Sequence, residues 1–243
     1  MAVYAGTSGW AYPNWKPDFY PPKLASAKFL SYYASRLNSV EVNYTFRRRL
    51  TESLASRWIE QTPPTFRFAF KANQFLTHVR QLRAEEEEVR GFFDALAPIQ
   101  RADRLGPVLF QLPPSFKPDL TLLGEFAAKL PRTVRCAFEF RHAGWFTDAA
   151  LDLMRKHNLG LCVAEAEKLT VPDVVTADFA YYRFRMGTYS ETDLKALIER
   201  VAARANEIKQ VYGYFKHEET AEGAQYAEKL LQVLGSARSG AAG

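Results

Sequence analysis

Two cysteines in 243 residues are too few for a disulfide framework. Cys136 and Cys162 each fall in an apolar, strand-like stretch, and no CxxC is present. They read as buried thiols of a reducing compartment, not as zinc ligands. No apolar run approaches the roughly 20 residues that span a bilayer, so no membrane partner is expected. The chain opens directly on a strand at residues 3–7, so no signal peptide is expected and the cytoplasm is the expected location. No GxGxxG or phosphate-loop motif follows that strand, which argues against an open, doubly wound nucleotide-binding sheet. HExxH is missing, and GTSGW at residues 6–10 does not match GxSxG, so Ser8 lacks a nucleophile elbow. His78, His142 and His217 sit just past strand ends with no short ligand spacing between them. The sequence therefore requires no cofactor, and a divalent metal stays an open alternative. His157 reads as a charge at a helix C-terminus.

What is present is a globular composition, 47% apolar and 24% charged, with a net charge of +5 and a pI near 9.1. This basic excess fits an anionic partner without demanding one. Apolar periodicities alternate between two and 3.6 residues along the whole chain. Strands are expected at residues 3–9, 39–43, 66–71, 107–112, 134–141, 160–165, 181–185 and 211–216. Helices are expected at 26–36, 51–60, 85–102, 119–129, 148–157, 191–208 and 222–234. Residues 166–179, interrupted by Pro172, show no helical period, so the sixth strand lacks its helix. Regular β–α alternation implies a parallel sheet. Eight such units in this length fit a closed (β/α)₈ TIM-like barrel over residues 1–234, followed by a disordered tail at 235–243.

In a barrel, strand residues alternate between the lumen and the helix layer. Val40/Val42, Phe66/Phe68/Phe70, Val108/Phe110, Phe138/Phe140 and Tyr182/Phe184 then face the helices. Glu41, Asn43, Lys71, Gln111, Glu139, Arg141, Arg183 and Arg185 face the lumen, most of them near the C-terminal strand ends where barrel enzymes place their sites. Five strands thus aim polar groups at one mouth. Apolar residues would fill a core at lower cost, so this set reads as a functional site, with a satisfied salt-bridge lattice as the competing reading. Glu41 and Glu139 suit general acid–base work, with Lys71 as base, electrophile or anion ligand. Arg141, Arg183 and Arg185 suit phosphate or carboxylate, the last two about 7 Å apart on one strand face. Arg47, Arg48 and Arg49 read as a solvated loop run. Trp10, Trp15, Tyr20, Tyr44, Phe46 and Trp145 crowd the same rim, as stacking platforms or as packing.

The motifs also carry a resemblance. GTSGW with Trp15 and FYPP (19–22), VEVNYTF (40–46), FAFKANQFLTH (68–78), LGPVLFQLPPSF (105–116) and AFEFRHAGW (137–145) resemble the YecE-like family, domain of unknown function 72. The likeness extends to about Leu234. It implies a TIM-like barrel and no particular reaction. It points to Asn43, Lys71, His78, Gln111, Glu139, Arg141, His142 and Trp145 as site residues. Three departures stand out. Arg47–Arg49 and Leu50 follow TF where the family often has Tyr and a nearby Pro. Arg185 stands at a usual His position. Lys216 and His217 replace a usual Asn pair. Each makes the mouth more cationic. The expectation is a metal-independent enzyme acting on a small anionic molecule, with Glu41, Lys71 and Glu139 catalytic, and Asn43, His78, Gln111, Arg141, His142, Trp145, Arg183 and Arg185 binding. A nucleic-acid-binding or -processing protein is the alternative, ahead of a glycoside hydrolase or a non-catalytic binding module.

Overall fold

A computed structural model of the chain describes residues 2–216 and 218–239. Eight strands run parallel: β1 (Ala2–Thr7), β2 (Ser39–Val42), β3 (Arg67–Lys71), β4 (Leu105–Gln111), β5 (Cys136–Glu139), β6 (Gly160–Ala164), β7 (Phe179–Phe184) and β8 (Gln210–Phe215). Their lateral order is β1-β8-β7-β6-β5-β4-β3-β2. The helices are α1 (Phe29–Arg36), α2 (Glu52–Glu60), α3 (Glu86–Arg101), α4 (Leu120–Ala128), α5 (Asp148–Lys156), α6 (Glu191–Glu207) and α7 (Glu222–Ser239). This is a nearly closed (β/α)₈ barrel. The side chains of Thr51, Asp119, Thr147 and Ser190 accept from backbone amides at their helix starts and set where α2, α4, α5 and α6 begin. Among the described residues no helix is long and apolar enough to cross a membrane.

Strand alternation sorts the core into two shells. Val40, Val42, Phe68, Phe70, Phe110 and Phe138 pack outward against the helices. The inner shell joins Ala69, Leu109, Ala137 and Cys162 to Phe179, Tyr181, Tyr212 and Tyr214. Small residues on β3, β5 and β6 leave room that the large rings of β7 and β8 fill, so the lower lumen is closely packed. Both cysteines are buried free thiols, one in each shell.

The barrel closes between β1 and β2, where the strands share a single ladder bridge, Ser8 to Glu41. Side chains supply the missing partners. Asn38 Oδ1 accepts from the Ala5 amide at 2.9 Å, and the Tyr33 hydroxyl accepts from the Thr7 amide at 2.8 Å while donating to the Ser39 carbonyl. Close approach here requires Gly6, because a Cβ at that position would run into the Ser39 carbonyl oxygen.

The sixth unit lacks a helix, as expected. The segment after β6 is held by polar side chains instead. Thr176 accepts from the Leu161 amide and donates to the Leu159 carbonyl, and Asp173 takes hydrogen bonds from Tyr182 and Arg204. Two details depart from expectation. Residues 75–79 form a π-helical turn, Phe75–Val79, rather than a loop. Helix α7 continues to Ser239, into the stretch expected to be disordered, while 240–243 lie outside the described residues.

Replacing Gly6 with Ala should cost about 3 kcal/mol, because the added methyl meets backbone that cannot yield. Urea unfolding measures this. A loss within about 0.5 kcal/mol, the range of a neutral surface change, would show that the seam tolerates separation.

Candidate functional site

Arg183, near the end of β7, is the hub of the lumen and is 2% exposed. Its Nη2 donates to Glu41 Oε1 at 2.7 Å and its Nη1 to Glu139 Oε2 at 2.7 Å, so it ties β2 to β5 across the barrel. Glu41 is completed by Ser8 Oγ at 2.8 Å and the Tyr181 hydroxyl at 2.7 Å. Glu139 also accepts from Arg141 Nε at 2.9 Å and Arg185 Nη2 at 3.1 Å. Burial alone would raise the Glu139 pKa. The charges of Arg183, Arg185 and Arg141 overcome it and hold the carboxyl down to about 2. Glu139 is therefore a fixed anion beneath three guanidiniums.

Above this network lies a cavity of about 480 Å³, lined by Asn43, Tyr44, Phe46, Arg47, Arg48, Lys71, Gln111, Arg141, Arg183, Arg185, Lys216 and Glu218. Seven of these side chains are cationic and one is acidic. The Nε atoms of Arg183 and Arg185 are buried without partners, as is Asn43 Oδ1. Lys71 Nζ lies 4.1 Å from the centre of the Phe46 ring. Burial first, then the Arg183 charge, bring its pKa down to about 8 against the partial support of Glu41 and Glu139. His78 packs edge-on to the same ring, and its Nδ1 lies 2.9 Å from the Thr77 hydroxyl. Burial, Lys71 and Arg141 lower its pKa.

The sequence-derived residues thus divide. Asn43, Lys71, Gln111, Arg141, Arg183 and Arg185 meet around one cavity. Glu41 and Glu139 lie under it, 0% and 1% exposed. Trp145 is buried on the helix side, stacked on Phe140 at 4.3 Å with its indole N–H on the Phe116 carbonyl, and does not line the mouth. His142 Nδ1 accepts from the Gly144 amide and serves a local turn. Trp15 and Tyr20 are core residues against Phe29 and Phe19. Of the aromatic rim, Tyr44 and Phe46 reach the cavity. Arg47 and Arg48, read as solvated, line it as well. Sequence reasoning missed Tyr181 as a carboxylate partner, although it shares a strand face with Arg183. His217 lies outside the described residues. Among those described, no group of three or more His, Cys, Asp or Glu is arranged to hold a metal.

Fold and site together define a (β/α)₈ barrel protein with an arginine-lined cavity at the C-terminal mouth. Residues 4–242 match the family model described as "Protein of unknown function DUF72", and the chain belongs to that family. It is 33% identical over 151 residues to the UPF0759 protein YunF of Bacillus subtilis (strain 168), covering 60% of this chain and 52% of that one. It is 32% identical over 145 residues to the UPF0759 protein YecE of Escherichia coli (strain K12), covering 59% of this chain and 50% of that one. The chain spans about half the length of these curated relatives. A crystal structure of a DUF72 family protein from Thermotoga maritima MSB8 superimposes with a TM-score of 0.86 at 28% identity, covering 96% of this chain and 99% of that one.

Because the Glu139 pKa falls from its ordinary 4.5 to about 2, its ion pairs stabilise the fold fully above pH 4.5. That contribution, about 3 kcal/mol by linkage, is lost as pH falls from 4.5 through 2. Glu139→Gln should lower stability by roughly 3–5 kcal/mol at neutral pH and flatten this acid limb. Urea titrations of both proteins across the window check it. An unchanged acid limb in the variant would mean that the carboxylate is not held by the arginines.

Proposed function

We propose that the protein is an enzyme acting on a small phosphorylated or carboxylated molecule, bound at the mouth by Arg141, Arg183 and Arg185. The observation that carries this reading is a charge imbalance. Arg141, Arg183 and Arg185 share two buried carboxylates, Glu41 and Glu139, and beside them Lys71 has no carboxylate paired with it among the described residues. A lattice built for stability would balance its charges and use its donors, since each uncompensated buried charge is costly. Oriented guanidiniums with donors to spare match the planar geometry of phosphate and carboxylate.

The same geometry favours giving the acid–base work to Lys71 alone. Glu139 accepts from three arginines, and Glu41 is enclosed by Ser8, Tyr181 and Arg183. Neither carboxylate is free to exchange protons with a molecule in the cavity, which also weakens the glycosidase reading, since that chemistry needs two available carboxyl groups. Their role is to orient the arginines in advance of binding. Lys71 lines the cavity with a pKa of about 8 and is the group suited to proton transfer near neutral pH.

A thermal-shift titration with inorganic phosphate, dicarboxylates, sugars and short oligonucleotides tests the reading. Phosphate or a dicarboxylate should raise the melting temperature. Arg141→Ala should weaken that affinity about tenfold, the effect of losing one charged hydrogen bond. Stabilisation by oligonucleotides alone, with affinity falling steeply in salt, would overturn the proposal in favour of nucleic acid.

A further inference from the structure

We propose that Lys71 is a covalent nucleophile, whose amine condenses with the carbonyl carbon of a small anionic hydroxy-carbonyl compound to form an imine in the mouth. This rests on the anion-site reading above and adds the class of anion.

A lysine that serves only to attract an anion works well at an exposed rim, as Lys216 is placed. Lys71 is placed otherwise. It is half-buried at the end of β3, with its ammonium against the Phe46 ring. Among the described residues no carboxylate pairs with it, because Glu41 and Glu139 are both committed to Arg183. Burial and the neighbouring Arg183 charge oppose the cation and outweigh the Phe46 ring face and the two buried carboxylates, which favour it, so the free amine, the nucleophilic form, gains population. With a pKa of about 8, roughly a tenth of the amine is neutral at pH 7, several hundred times the fraction of an ordinary lysine.

Two uncharged groups point to the rest of the ligand. Asn43 Oδ1 is buried without a donor, and Gln111 lines the same cavity at the end of β4. A buried acceptor without a partner is satisfied by a donor on the bound molecule, and a hydroxyl is the donor that fits an anionic carbonyl compound. An anionic end for the arginines, a hydroxyl for Asn43 and an electrophilic carbon for Lys71 together describe a phosphorylated or carboxylated hydroxy-ketone or hydroxy-aldehyde.

The step balances without an oxidant or reductant. The Nζ lone pair forms a C–N bond to the carbonyl carbon, and the C=O π pair moves to oxygen, which takes a proton. Nitrogen, cationic after the attack, gives up one proton to water at the open mouth and keeps the other. The C–O bond then breaks, and the oxygen leaves as water once protonated again. The nitrogen lone pair closes the C=N bond.

The test is reductive trapping. The protein is incubated with sodium cyanoborohydride and dihydroxyacetone phosphate, hydroxypyruvate or neutral dihydroxyacetone, then mapped by peptide mass spectrometry. The expected product is a Lys71 adduct with the mass of the carbonyl compound less one oxygen atom. It should form at least about tenfold faster with one of the two anionic compounds than with the neutral one, and that compound tells a phosphate ligand from a carboxylate ligand. Inorganic phosphate should protect. The rate should rise with a midpoint near pH 8, far below that of the surface lysines. Lys71→Arg should lose the adduct while melting as the parent does. Adducts that track surface exposure, or a bare Lys71, would overturn the imine. In that case continued stabilisation by phosphate would leave the anion site standing, and its absence would remove both.

Discussion

One guanidinium holds this barrel's polar floor together. Arg183 reaches from β7 to a carboxylate on β2 and another on β5, each at 2.7 Å. It is nearly sealed from water, so neither the cation nor the anions would be tolerable there alone. Burial works against its charge, and Glu41 and Glu139 more than restore it. The dependence is mutual. Glu139 stays ionised because of the arginines, and the arginines stay oriented because Glu139 is ionised. The seam at β1 and β2 uses the same network, since Ser8, which makes the single ladder bridge there, also donates to Glu41. Closure of the barrel and construction of the site are one set of contacts.

Much of this was legible in the residues themselves. A two-residue period fixes which face of a strand is apolar, and a barrel turns that face toward its helices. Phe138 and Phe140 outward therefore placed Glu139 and Arg141 inward, and the same reasoning placed Lys71, Gln111, Arg183 and Arg185. Depth and partner are a different matter. Glu41 pairs in register with Ala69, two residues short of Lys71, and so lies beneath the cavity instead of in it. That offset depends on how neighbouring strands slide, which a single strand's pattern does not encode. Trp145 failed for a related reason. A tryptophan just past a strand end can turn to the lumen or to the helices, and the stack of Phe140 and Phe116 settles it for the helices.

The missing helix after β6 also bears on the site. Glu165, at the start of that segment, accepts from the Arg185 amide at 2.7 Å and from the Tyr189 hydroxyl. Arg185 lines the mouth and two further cavities, of about 710 and 260 Å³, beside residues 164–171. A regular helix packed over β6 would fill that space. Its absence leaves Arg185 bordered by open volume on more than one side, anchored by its backbone and by Glu139 while its Nε remains unpartnered.

The contrast between a stabilising lattice and a binding site can be drawn from this chain's own arginines. Arg204 shows the first kind. It meets Asp173, Glu207 and the Tyr182 hydroxyl, and its donors are spent locally at the back of the barrel. Arg183 and Arg185 fit the second, which is the reading proposed for them. They share Glu139 and sit beside a lysine that no carboxylate pairs with among the described residues. Balanced charges lower the energy of the fold, whereas the excess of cationic side chains leaves the mouth at positive potential. Against that electrostatic cost stands the apolar burial of the lower lumen, where Tyr181, Tyr212 and Tyr214 fill the space beside Ala69, Ala137 and Cys162.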